Sequence, residues 1–106
     1  MAALDARQRA RLSALATKLG CLAQIGRDGA DEGLVARLAE LLDRHELVKL
    51  RFVAQKGERE ALARILAEKT GCELVRIIGN VAIFWKQSSD PERRRINPNA
   101  SGDERR

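Results

Sequence analysis

Apolar positions recur along this chain with two different spacings. Leu12, Leu15, Ala16 and Leu19 follow the i, i+3, i+4, i+7 rhythm of a helix with one buried face. Asp5 precedes them as an N-cap, with Gln8 three residues on, the reciprocal arrangement of a capping box. A first helix is therefore predicted from Asp5 to Leu19. Leu34, Val35, Leu38, Leu41 and Leu42 form a second stripe. Asp31 stands at its N-cap, and Asp31 and Glu32 suit the positive end of the helix dipole. That helix is predicted to run to about Arg44. Leu62, Ile65 and Leu66 point inward from a third helix over Glu58 to Thr70, with Gly71 at the helix-ending position.

Between the helices the spacing falls to two. Cys21 to Ile25 is a short apolar run and is predicted to be a strand. From Leu47 to Ala54 the chain alternates: Val48, Leu50, Phe52 and Ala54 point one way, and Leu47, Lys49, Arg51 and Val53 the other. Glu73 to Ile78 and Val81 to Lys86 are two further strands, joined by the two-residue turn Gly79-Asn80. The order is α-β-α-β-α-β-β, an α/β (α+β) chain forming a two-layer sandwich on one four-stranded sheet. Right-handed crossovers place helices two and three on the same face. The other face is then open, except where the first helix packs on it. Val48, Leu50, Phe52, Val75 and Ile77 are expected inward. Gln24, Lys49, Arg51, Arg76 and Lys86 are expected outward, with Phe84 sharing the parity of Lys86. Trp85 is expected in the core with Val81 and Ile83. Residues 1–86 form the domain. Residues 87–106 hold both prolines and almost no large apolar side chain, and are expected to be a basic, disordered tail.

Charge narrows the classes of partner. The chain of 106 residues carries a net charge of +5. Residues 1–86 carry fifteen bases against eleven acids. That balance favours an anionic partner such as RNA, DNA or an acidic surface. No segment approaches the roughly 20 apolar residues needed to cross a membrane. Cys21 and Cys72 lie far apart and form no metal-ligand pattern, as expected of small apolar residues in a reducing cytoplasm. His45-Glu46 is the one pair suited to acid–base work. With no second histidine and no nucleophile motif, it is assigned a structural role at a helix end. No enzyme activity, cofactor, metal or small-molecule substrate is expected.

Four glycines fall between Gly20 and Leu34. Gly26-Arg27-Asp28-Gly29 lies between the first strand and the second helix. Glycine lacks a Cβ, so a phosphate backbone can approach closely. The helix that follows offers free N–H groups and the positive end of its dipole. Arg27 adds a mobile positive charge, and Asp28 subtracts one. The bases Arg7, Arg11 and Lys18 share a face of the first helix. Lys49, Arg51, Arg76 and Lys86 gather on the outward face of the sheet, where like charges repel unless an anion joins them. Together Gly26, Arg27, Asp28, Gly29, Arg7, Arg11, Lys18, Lys49, Arg51, Arg76 and Lys86 are the candidate RNA-binding residues. Gly26→Glu or Gly29→Asp is expected to weaken RNA binding and leave the fold intact.

Three blocks in order carry a resemblance. They are Gln24-Ile25-Gly26 before the loop, "HELVKLRF" from His45 to Phe52, and "LVRIIGNVAIFWK" from Leu74 to Lys86. Over residues 4–86 the sequence resembles the YhbY family, the bacterial stand-alone form of the CRM (CRS1-YhbY) RNA-binding domain. Arg27 stands where the family usually has a base. Gly20-Cys21 replaces a common lysine-proline pair, and Trp85 and Lys86 stand where tyrosine and arginine are common. The resemblance implies a fold like the C-terminal domain of translation initiation factor three, a mixed sheet with its last strand antiparallel between the second and third. It implies a protein that binds ribosomal RNA in large-subunit precursors; the protein is also expected to be a cytoplasmic monomer. The alternative from another class is an adaptor that docks on a ribosomal protein or assembly factor.

Overall fold

The computed structural model describes residues 4–93 and 96 of the chain. Its elements are α1 (Ala6–Ala16), β1 (Cys21–Ile25), α2 (Glu32–His45), β2 (Leu47–Phe52), a 3-10 turn (Lys56–Glu58), α3 (Arg59–Thr70), β3 (Glu73–Ile78) and β4 (Val81–Trp85), followed by a second 3-10 turn at Pro91–Arg93. The sheet order is β1-β2-β4-β3. β1 runs parallel to β2, and β4 is antiparallel to both β2 and β3. This is the mixed sheet that the resemblance implied.

Local chemistry sets the ends of these elements. The capping box forms at Asp5: its carboxylate accepts the Gln8 N–H at 2.8 Å, and the Gln8 side chain accepts the Asp5 N–H at 2.9 Å. Asp31 accepts the Leu34 N–H at 2.9 Å. Gly79 has φ +57°, as the first position of a II′ hairpin requires. α1 stops at Ala16, three residues before Leu19. Its last N–H groups turn to carbonyls three residues back, Lys18 to Leu15 and Leu19 to Ala16. Leu19 is accordingly exposed rather than part of the buried stripe. α3 buries Ala63, Leu66, Ala67 and Thr70, which leaves Ile65 exposed instead of inward.

Two apolar clusters lie on opposite faces of the sheet. α2 and α3 cover Ile25, Val48, Leu50, Phe52, Ala82 and Phe84. α1 packs on the other face, where Leu12 and Ala16 meet Leu47, Val75, Ile83 and Trp85. The sandwich of sheet and crossover helices forms as expected, and α1 adds a partial third layer on the face expected to be open.

Register corrects three outward or inward assignments. Val48 sits directly opposite Phe84, and directly opposed residues share a face. Phe84 is therefore in the α2/α3 core, not outward, and Lys86 takes the same side by its parity. In β3 an irregularity between Leu74 and Arg76 sets Arg76 opposite Ile83. A bulge of this kind shifts the pleat by one residue. Val75 thus joins the α1 face instead of the α2/α3 core, whereas Ile77 packs on the α2/α3 core as expected.

The chain beyond Lys86 does not leave the domain at once. Glu46 ends α2 at φ +65° and is 1% exposed. Its carboxylate accepts the N–H of Ser88 at 2.6 Å and of Ile96 at 3.1 Å. Its carbonyl accepts the Lys86 N–H at 2.9 Å. Ser88 is buried, and Ile96 packs on the α1-side cluster. Over these residues the expected disorder gives way to a segment held by a buried carboxylate. The rest of the expected tail lies outside the described residues.

Candidate nucleic-acid interface

The Gly26–Gly29 loop leaves the sheet at the end where β1 and β2 stop. The Gly29 N–H bonds to the Gly26 carbonyl at 3.0 Å, closing a tight turn. The two glycines differ in what the fold asks of them. Gly29 is buried at φ +62°, and a Cβ there would lie 3.1 Å from a Leu62 methyl. Gly26 has an ordinary φ, and a Cβ there would meet nothing within 4 Å. Gly29 is required by the turn and by α3. Gly26 leaves open space above the backbone that no packing explains.

Arg27 and Asp28 are exposed at the tip. The Arg27 carbonyl accepts the Gln55 side-chain N–H at 2.8 Å, tying the loop to the segment after β2. The Arg27 guanidinium has no polar partner among the described residues. At the N-terminal end of α2 Asp31 holds the Leu34 N–H, as its N-cap position predicts, and Glu32 stands in the first turn, so the two acids compete with an anion there.

The structure sorts the remaining candidates. Arg51 pairs with Gln24 near the end of β2 and is exposed, one residue before the pair Ile25–Phe52. Arg76 is exposed on the same α1-side face of the sheet. Arg7 and Lys18 are exposed on and after α1, and Arg11 is half-buried. Lys49 points to that face too, but its ammonium donates to the carbonyls of Ala16 at 3.1 Å and Leu19 at 2.8 Å. It caps the C-terminal end of α1, where the dipole favours a cation. Lys86 lies on the opposite side and donates to the Thr70 carbonyl at 3.2 Å, at the end of α3. The sheet therefore does not gather all four strand bases: Arg51 stands nearest the loop, Lys49 is consumed, and Lys86 is elsewhere.

Sequence reasoning passed over three bases that the structure places. Lys56 is exposed next to Gln55, and Arg59 donates to Gly79 O at 3.1 Å and Asn80 Oδ1 at 2.8 Å. Gln55-Lys56-Gly57 was legible only as the break after a strand. Arg9 falls off the Arg7–Arg11 face by helical phase. It donates to the carbonyls of Leu74 at 2.6 Å and Val75 at 3.1 Å, on the edge strand β3.

His45 is exposed at the end of α2, whereas the Glu46 carboxylate is buried on two backbone N–H groups. The two side chains serve different structures. Among the described residues, no three of His, Cys, Asp and Glu cluster in a way that could hold a metal ion. No helix among them is long and apolar enough to cross a membrane.

Comparison with known proteins adds a family to this geometry. The sequence model of the CRS1 / YhbY (CRM) domain matches residues 4–86. A probable RNA-binding protein of Pseudomonas aeruginosa is 27% identical over 96 residues, 90% of this chain and 92% of the relative. An RNA-binding protein of Haemophilus influenzae is 25% identical over 85% of this chain and 92% of its own length. The solution structure of a hypothetical protein of Staphylococcus aureus, described as a candidate RNA-binding protein, superposes with a TM-score of 0.75 at 27% identity. It covers 89% of this chain and 99% of its own.

Proposed function

The chain belongs to the CRS1/YhbY (CRM) domain family, and from that membership we propose that it binds ribosomal RNA in precursors of the large ribosomal subunit. Its relatives are named as RNA-binding proteins. The ribosomal target rests on the likeness of the three sequence blocks to the bacterial stand-alone members. The observation that carries the reading is the loop end of the sheet. There Gly26 leaves the backbone open to approach, and the exposed side chains of Arg27 and Arg51 have no polar partner among the described residues.

In this reading the protein acts as a monomer in the cytoplasm, without a cofactor and without chemistry of its own. Affinity comes mainly from neutralising phosphates, with single-stranded elements and RNA shape setting the choice of site. The experiment is sedimentation of the tagged protein from a cell lysate on a sucrose gradient, with and without RNase. Migration with large-subunit precursors, lost after RNase or at high salt, is the expected result. Association that survives exhaustive nuclease treatment would favour the adaptor that docks on a ribosomal protein or assembly factor.

A further inference from the structure

The segment after β2 has an odd distribution of strain. Gln55 takes φ +55°, in the left-handed region that costs a side-chain-bearing residue free energy. Two residues later Gly57, which could adopt that conformation freely, has an ordinary φ, and a Cβ there would meet nothing within 4 Å. Gln55 supplies what glycine cannot, the 2.8 Å bond to the Arg27 carbonyl. Gly57 supplies what no other residue can, an uncovered backbone. Gly26 shows the same open space on the partner loop.

Charge follows the same line. Lys56 is exposed and has no polar partner among the described residues. Arg59 is fixed by the hairpin turn at Gly79 and Asn80. Lys56, Gly57, Arg59, Glu60 and Ile77 line a concavity of about 350 Å³. The Glu60 carboxylate in it is already engaged by Arg64 at 2.7 Å. Glu58 is an exposed acid in the same turn and works against an anion there.

We propose that Gln55–Arg59 is a second phosphate-contacting segment, continuous with the Gly26–Gly29 loop, over which one RNA backbone passes. Lys56 meets a phosphate as a point charge. Gly57 admits the chain closely. Gln55 is a positioning residue that locks the two loops in one frame. This rests on the RNA-binding reading above.

The test measures binding of the full chain to end-labelled fragments of large-subunit ribosomal RNA across a salt series, with thermal unfolding of each variant alongside. Lys56→Ala should lower the log-log salt slope by about 0.7–0.9, a loss of roughly five- to eightfold in affinity near 0.1 M salt. Gly57→Gln should weaken binding with its unfolding midpoint unmoved. Gln55→Ala should weaken binding in the wild-type background and add little in an Arg27→Ala background, since it acts through that loop. Wild-type affinity in Lys56→Ala and Gly57→Gln, with Arg27→Ala impaired, overturns the second segment and leaves the RNA-binding reading standing. Losses that track a lowered midpoint in every variant also overturn it. Absence of RNA binding by the wild-type chain overturns both.

Discussion

At the end of the sheet where β2 and β3 begin, strong polar groups are consumed within the chain; at the end where β1 and β2 stop, several are not. The first end holds Glu46 on the N–H groups of Ser88 and Ile96, and Lys86 on the Thr70 carbonyl. The second holds Arg27, Arg51 and Lys56, whose exposed side chains have no polar partner among the described residues, beside two glycines with open space above them. A buried polar group must be satisfied internally or it costs free energy. An exposed base can wait for a partner. The first end is thus architecture, and the second is the end that the proposed reading assigns to RNA. Arg59 marks the boundary, since it lies at the open end yet is held by Gly79 and Asn80.

The sharpest way to break this comparison is at Glu46. Replacing it by alanine leaves the Ser88 and Ile96 N–H groups without their acceptor and keeps the strained φ of +65°. The expected cost is about 2–4 kcal/mol. For a domain of this size that lowers the unfolding midpoint by on the order of ten degrees or more. Calorimetry checks it. RNA affinity measured well below the midpoint should be unchanged. A fall in affinity with an unmoved midpoint would reverse the roles of the two ends.

The two ends of one loop give the next effect. Gly29→Ala places a Cβ 3.1 Å from Leu62 at φ +62°, and should destabilise by about 1–2 kcal/mol. Gly26→Ala should stay within about 0.5 kcal/mol of wild type. Gly26→Glu should then weaken RNA binding at unchanged stability, read by denaturant unfolding and RNA titration of the same preparation. Gly29→Asp cannot serve the same purpose, contrary to what the sequence suggests, because its effect mixes turn strain with any loss of contact. Equal stability losses at both glycines would make the whole loop structural.

What the sequence reveals of these features follows their range. Helix caps at Asp5, Asp31 and Gly71 are local, and each forms where its residues place it. The crossover topology follows from handedness and element order. The face of a side chain is not local. Phe84 and Lys86 are placed by their register against Val48, and Val75 by an irregularity in β3, and neither has a composition signature. The same holds for bases. Lys49 and Arg51 are two residues apart and alike in sequence, yet only Lys49 meets the end of α1. Glu46 belongs to a block that resembles a family pattern, but its hold on Ser88 and Ile96 spans more than forty residues of chain. No periodicity predicts such a bond.

Salt dependence separates spent bases from available ones. Arg27→Ala should reduce the log-log slope of RNA affinity by about 0.7–0.9, and Arg51→Ala by a similar amount. Lys86→Ala should leave the slope unchanged and cost about 0.5–1 kcal/mol of stability, through the lost bond at the end of α3. Filter binding over a range of salt concentrations, with unfolding curves for each variant, reads both quantities. A slope lowered by Lys86→Ala would show that its bond to Thr70 yields to RNA.

The smallest effect lies at the closed end and needs no RNA. Burial pushes the Cys72 thiol above its ordinary value, and the bond from the Thr70 hydroxyl, 3.2 Å from its sulfur, offsets this in part. In the unfolded chain the thiol loses its proton near pH 8.5; in the folded chain it keeps the proton to higher pH. Above that point the unfolded state binds fewer protons, so stability falls as pH rises. The contribution is fully present below the ordinary thiol range and is lost progressively up to the raised value. The chain has no tyrosine, so no phenol titrates across this window. Cys72→Ala should flatten the decline in unfolding free energy above about pH 8.5. An equal decline in the wild type and in Cys72→Ala would remove this thiol as its cause.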